Sequence, residues 1–277
     1  MISFHTYHGV RSMALRCRLC GSADLKLFYL EGDRNQFRYY RCVSCSLVNY
    51  DMEGGVDQEK FVQDFVDPFD LTHKINIGQM RTYAFIKKLS LKKGAMLDIG
   101  CYNGGLLAAA QLDGWEVQGL ELFEALAAAT KQTTGIEVIV AEFPDCALLK
   151  GTQYDVIVLR HVLEHLPDPV TAMNTINGLL KPGGSAIMEF PNIMSINLRW
   201  KYLLRRNGLL HSHFPPEYKP HHCNEFCFRS FSRLCRQTGF QLVNWETYSS
   251  KNRLTPLYRI LRFGTKARVH IRKGCAV

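Results

Sequence analysis

Four of the ten cysteines fall as two matched pairs, Cys17-Arg-Leu-Cys20 and Cys42-Val-Ser-Cys45. Four thiolates at this spacing can close a tetrahedron around Zn2+. Sulfur at every corner leaves no open position. A metal on Cys17, Cys20, Cys42 and Cys45 would therefore fold its segment rather than catalyse. Histidine forms the second group. His161 and His165, in His161-Val-Leu-Glu-His165, share one face of a helical turn at a spacing of four. His211, His213, His221 and His222 crowd a stretch rich in proline and aromatic residues, a composition suited to a substrate loop. Imidazole exchanges protons near neutral pH. The HxxEH order is the inverted zinc-protease pattern, but the strand and helix alternation around it argues against that chemistry. His221, His222, Cys223 and Cys227 match no common metal-knuckle spacing.

A third group surrounds a turn. The apolar run Ala95-Met-Leu-Asp-Ile99 carries Asp98 near its end; Gly100, Gly104 and Gly105 follow, and a helix-like stretch begins. A helix N-terminus offers free N–H groups and a positive dipole end, and glycines let a ligand approach the backbone. Glu121 ends the next strand-like run. An acid about 20 residues beyond such a turn can hydrogen-bond a ribose diol. The group reads as a nucleotide cradle without the Gly-x-Gly-x-x-Gly spacing of dinucleotide binders.

The elements that must position these groups alternate. Strands are predicted at Ala95–Ile99, Val117–Glu121, Glu137–Val140, Tyr154–Leu159 and Ser185–Phe190, and helices at Gly105–Leu112, Phe123–Gln132 and Pro169–Leu180. The last helix stops at Lys181-Pro-Gly-Gly184. A helix at Ser230–Thr238 and strands at Phe240–Thr247 and Ala267–Ile271 follow. Alternation of this kind implies right-handed βαβ units and a parallel sheet with ligands at its carboxyl edge. Leu25–Leu30 and Gln36–Arg41, between the cysteine pairs, read as a hairpin. The segmentation is a flexible start (1–14), a zinc-binding module (15–50), connecting helices (51–93), a main domain (94–250) with an insertion (192–228), and a basic end (251–277).

The chain has 277 residues, 47% of them apolar, enough for a full core. No run approaches the roughly 18 uninterrupted apolar residues of a membrane span, and Met1–Met13 lacks a signal-peptide core, so a cytoplasmic location is expected. The net charge of +9 is uneven: residues 199–277 hold 16 Lys+Arg against 3 Asp+Glu. A basic third suits an anionic partner: a phosphate-bearing substrate, a nucleic acid or a membrane surface. Trp200–Leu210 and Tyr258–Phe263 are basic and amphipathic, as a lid over a diphosphate or a contact with lipid headgroups would be.

Leu97-Asp-Ile-Gly-Cys-Tyr-Asn-Gly104, Glu121, Tyr154-Asp-Val-Ile-Val158, His161–Asp168, Leu180-Lys-Pro-Gly-Gly184 and Thr238-Gly-Phe240 together resemble class I S-adenosylmethionine-dependent methyltransferases, over residues 90–250. The cysteine module is similar to that of bacterial methyltransferases acting on nucleotide-activated sugars or polysaccharide precursors. The resemblance implies an α/β, Rossmann-like, seven-stranded, mostly parallel sheet with helices on both faces, plus the small zinc-binding module. It implies that Gly100, Tyr102 and Gly104 hold the methionine part of S-adenosylmethionine. Asp98 would reach its amino group and Glu121 its ribose, Ala141 and Glu142 would lie beside the adenine, and Arg160 and His161 would flank the sulfonium end. Tyr102 stands where many relatives carry glycine.

The resemblance also implies that the insertion covers the acceptor. His221 or His222 is then the first candidate for the base that deprotonates it, with His161 behind them and Tyr218 and Arg199 as further substrate contacts. Methyl transfer to a hydroxyl of an activated sugar or polysaccharide precursor is the leading expectation. The alternatives are a ribosomal RNA methyltransferase, a quinone or lipid O-methyltransferase at a membrane surface, and a non-catalytic S-adenosylmethionine binder. The 15–50 segment carries only six Lys+Arg against three Asp+Glu, too mild a charge to decide for or against RNA.

Overall fold

Residues 15–57, 77–145, 147–206, 209, 214, 218–249 and 262–274 are described by the computed structural model. The expectations for residues 1–14, for His211 and His213, and for the part of the connecting helices at 58–76 lie outside them. So does most of the Tyr258–Phe263 stretch.

In chain order the elements are β1 (Leu25–Glu31), β2 (Phe37–Cys42), β3 (Val48–Tyr50), α1 (Ile77–Lys88), β4 (Ala95–Ile99), α2 (Gly105–Leu112), β5 (Glu116–Glu121), α3 (Glu124–Thr134) and β6 (Val138–Val140). Then come β7 (Tyr154–Arg160), a 3-10 turn (Leu163–His165), α4 (Pro169–Leu179), β8 (Leu180–Pro191), α5 (Ile196–Arg206), β9 (Asn224–Glu225), α6 (Phe228–Gln237), β10 (Phe240–Tyr248) and β11 (Lys266–Lys273). The seven-stranded sheet runs in the order β10-β11-β8-β7-β4-β5-β6. β4 to β8 are parallel, and β11 enters antiparallel between β8 and β10. The expected Rossmann-like fold is thus present.

The two periodicities explain the layers. Along β4, Leu97 and Ile99 join a core built with Ala172, Met173 and Ile176 of α4 and Phe231 and Leu234 of α6. Met96 points the other way, into a core with Ile86 of α1 and Leu106 and Ala110 of α2. Strands covered on both faces read as continuous apolar runs. α4 starts where expected because the Asp168 carboxylate accepts the backbone N–H groups of Val170 and Thr171, with Pro169 in the first turn.

One boundary is corrected. The strand expected from Ser185 begins at Leu180; the helix does stop at this segment, ending at Leu179, but Lys181–Gly184 is an irregular strand entry rather than a turn. Leu180 pairs with Tyr154, the register shifts before Val156, and the Asp155 carboxylate holds Lys181 Nζ at 2.7 Å and the Ala95 N–H at 2.8 Å. Tertiary pairing overrides the local turn signal.

The second sheet, β1-β2-β3-β9, is antiparallel. Its first three strands come from the cysteine segment and its fourth from the insertion, with Val48 opposite Glu225 and Asn49 opposite Asn224. Tyr29, Phe37, Tyr39, Val48 and Tyr50 pack there with Ile193 and Cys227.

Candidate functional site

The cradle forms where β4 ends. Gly100 and Gly104 have φ of 71° and 70°, the left-handed region that glycine enters without a Cβ penalty. A Cβ on Gly100 would also lie 2.6 Å from Val162 Cγ2. The Gly100 N–H donates to the Leu120 carbonyl, tying the turn to β5. Glu121, at the end of β5, accepts the Tyr102 N–H at 3.0 Å and the Leu122 N–H at 2.9 Å; burial raises its pKa against these bonds.

Tyr102 has φ of 55°, which accounts for the glycine expected there. A side chain at this angle costs about 1 kcal/mol. Its ring packs with Phe123 against Leu126 and Ala129, and its carbonyl accepts from Thr130 Oγ1 at 2.6 Å. These contacts hold the turn without the glycine.

Asp98 is 2% exposed, and its Oδ1 is buried without a hydrogen-bond partner. Burial pushes its pKa up to about 7, the Glu121 carboxylate adds to this, and Arg160 opposes it. A buried carboxylate oxygen lacking a donor is costly; it fits a cationic ligand group.

β7 lies beside β4, with Leu159 opposite Ile99, so Arg160 and His161 emerge next to Gly100. Arg160 is already committed, its Nε donating to Thr82 Oγ1 at 2.8 Å and to Glu189 Oε2 at 3.1 Å. Arg268 binds the other Glu189 oxygen. His161 has φ of 56°, an unusual backbone angle of the kind that collects at functional sites. Its Nδ1 meets Glu164 Oε1 and its Nε2 meets Lys266 Nζ, both at 3.1 Å. Lys266 went unpredicted. Only the reversed final strand β11 brings it here, and no local signal marks it.

The structure joins the two histidine groups expected from sequence. His165 stacks on His221 with ring centroids 5.5 Å apart, and His222 lies edge-on to both at 4.9 and 4.6 Å. Burial lowers the pKa of His165 to about 4 and of His221 to about 3. Burial also acts on His222, but the nearby Glu225 and Glu164 carboxylates outweigh it and the net shift is upward. Burial would raise the pKa of Glu164, yet the His161 hydrogen bond and the neighbouring imidazoles draw it down to about 2. Cys223 and Cys227 stand apart from this group: Cys223 Sγ meets the His165 carbonyl, and Cys227 caps α6.

The cysteine segment reaches the same place. Arg18 donates to the carbonyls of Cys223 at 3.0 Å and Tyr50 at 2.6 Å. Tyr29 Oη donates to Glu225 Oε1 at 3.0 Å. The sulfurs of Cys17, Cys20, Cys42 and Cys45 all lie within 4.8 Å of one another, with Cys17 to Cys45 at 3.4 Å and Cys20 to Cys42 at 3.6 Å. Those separations are too long for disulfides. They approach the edge of about 3.8 Å of a zinc–thiolate tetrahedron, so the donor set fits the metal.

Of the remaining expected contacts, Glu142 is exposed after β6, while the Ala141 N–H donates to the Glu121 carbonyl. Tyr218 packs near Phe37. Arg199 is exposed on α5, whose outward residues Ile196, Trp200 and Leu203 are 38%, 58% and 50% exposed. Among the described residues, no helix is long and apolar enough to cross a membrane.

Comparison with known proteins now adds to this geometry. A family pattern described as "Methyltransferase domain" matches residues 76–244, more than half of the chain. A ubiquinone biosynthesis O-methyltransferase of Pseudomonas putida is 32% identical over 122 residues, 42% of this chain and 53% of that protein. The chain thus spans about half the length of the curated relatives it matches. The fold is similar to a putative S-adenosylmethionine-dependent methyltransferase of Listeria monocytogenes, with TM-score 0.55 and 18% identity over 70% of this chain and 99% of the other. It is also similar to a magnesium protoporphyrin IX methyltransferase of Synechocystis with bound S-adenosylhomocysteine, with TM-score 0.53 and 16% identity over 78% and 99%.

Proposed function

The chain belongs to the methyltransferase-domain family, and from that premise we propose that it transfers a methyl group from S-adenosylmethionine to a hydroxyl of a small molecule, of quinone-ring type. The observation that carries this is the unpartnered buried oxygen of Asp98 on β4, beside the strand β7 whose end leads into His161 and the imidazole group. One carboxylate awaits a cation, and beside it stand proton-accepting groups.

S-adenosylmethionine, when bound, supplies an electrophilic sulfonium methyl that leaves sulfur for the attacking oxygen. Asp98 takes the ligand's ammonium group. Glu121 keeps lone pairs for the ribose hydroxyls while its backbone bonds hold the turn. Ala141 and Glu142 flank the adenine. His221 accepts the hydroxyl proton of the acceptor. His161 does not serve as the base, because its two nitrogens are engaged by Glu164 and Lys266; it positions Glu164 instead. The four cysteines would hold Zn2+, which would keep the module closed, and through Arg18 and β9 the module holds the segment that carries His221 and His222.

The curated relatives support O-methylation of a quinone-type ring better than of a sugar precursor. The outward apolar residues of α5, flanked by Arg199 and Lys201, suit an acceptor met at a membrane surface. Release of S-adenosylhomocysteine, followed across catechol-type quinone precursors and nucleotide-activated sugars, tests the reading. Turnover on ring hydroxyls is expected; turnover on sugars alone would replace the acceptor class.

A further inference from the structure

A second set of metal-type donors stands apart from the four cysteines. One carboxylate oxygen of Glu164, one ring nitrogen of His165 and one of His222 lie within 4.8 Å of one another. Two come from the 3-10 turn after β7 and the third from the insertion, just before its strand β9. Ligands about 2.0–2.2 Å from a shared ion sit about 3 to 4 Å apart, so contraction by at most about 2 Å closes the set.

Three details point to an ion. Glu164 is 1% exposed, its Oε1 accepts from His161, and its buried Oε2 has no hydrogen-bond partner. His165 Nδ1 donates to the His221 carbonyl at 2.9 Å, which assigns ligation to Nε2. His222 Nδ1 faces the Glu225 carboxylate at 3.8 Å, an ion-pair distance rather than a hydrogen bond. An imidazole whose second nitrogen is held by a carbonyl or carboxylate is the recurrent arrangement of a metal-bound histidine.

We propose that Glu164, His165 and His222 bind a divalent first-row transition-metal ion at the acceptor side. Two imidazoles and one carboxylate suit Zn2+, Mn2+ or Co2+ and leave positions open. Its use there rests on the hydroxyl-transfer reading: an ion in the open site polarises the acceptor oxygen and eases loss of its proton to His221. The binding itself does not depend on that reading.

The test loads the full-length protein, its cysteine site filled with zinc, with Co2+, and reads metal content by mass spectrometry together with the visible spectrum. Wild type should hold about two metal equivalents per chain and His222→Ala about one. The second equivalent should show nitrogen and oxygen ligation without a thiolate charge-transfer band. Glu164→Gln serves as the second variant, and a retained cysteine-bound zinc equivalent with a melting point close to wild type certifies that each variant is folded. One equivalent in wild type, or two retained in folded His222→Ala, overturns the site. A second equivalent without transfer to any hydroxyl leaves the site standing and fails the function. Hydroxyl turnover with only the cysteine-bound metal does the reverse.

Discussion

Tyr102 donates to Glu121 across 19 residues of chain, whereas Arg18 donates to the Cys223 carbonyl across 205. The cradle proposed for the methyl donor is local: one strand end, one turn and the next strand end. The proposed acceptor side is assembled from the cysteine module, the turn after β7, the insertion and β11, which share no neighbouring stretch of sequence. A local site is fixed once its βαβ unit forms. An assembled site depends on every partner that brings it together, so damage to the module should reach catalysis without reaching the cradle.

The largest effect expected is from Cys42→Ser with Cys45→Ser. A structural zinc site contributes on the order of 10 kcal/mol to folding its segment. Methyl transfer should fall by at least about 10³-fold while calorimetric affinity for S-adenosylmethionine moves by less than about threefold. A parallel collapse of both would show that the halves are one unit. Next, His221→Ala should lower kcat by about 10²-fold or more, the usual contribution of a positioned base, with little change in donor affinity. Single-turnover rates check it.

Arg18→Ala should do less. It removes two charge-assisted bonds of about 1.5–3 kcal/mol each, partly replaced by water. About a tenfold loss in kcat/KM for the acceptor and a melting point a few degrees lower are expected. The smallest effect on turnover accompanies a pH dependence of stability confined to the cradle. Asp98 has its pKa raised by burial to about 7 from 3.8. The unliganded protein therefore has the associated stability in full below pH 4 and loses it as pH rises through 7, by at most about 4 kcal/mol. A bound ammonium offsets that loss, so the melting-point shift given by S-adenosylmethionine should be larger at pH 8 than at pH 6. Equal shifts would separate Asp98 from the donor.

The same contrast explains what could be read from sequence. Asp98, Gly100 and Glu121 were legible because strand, turn and strand follow in order and each residue type has one physical use there. The histidines were legible as candidates for proton transfer, but their meeting was not. His165 and His221 are joined by a sheet in which β3, near the N-terminus, pairs with β9 in the insertion. Lys266 and Glu189 carried no signal, since a charged residue in a strand declares its partner only when the register of β8 and β11 is known. Tyr102 was visible as a departure from the glycine pattern, while its compensation, packing against Leu126 and Ala129, lies across a fold contact.

The central claim is that donor and acceptor occupy separately built halves of one site. Its most direct test is the dissociation constant of S-adenosylmethionine, measured by calorimetry on Asp98→Ala and on His221→Ala side by side. The account predicts a weakening of about 10- to 100-fold for Asp98→Ala, the worth of one charge-assisted bond, and less than about threefold for His221→Ala. Unchanged affinity in Asp98→Ala, or equal losses in both, would contradict it.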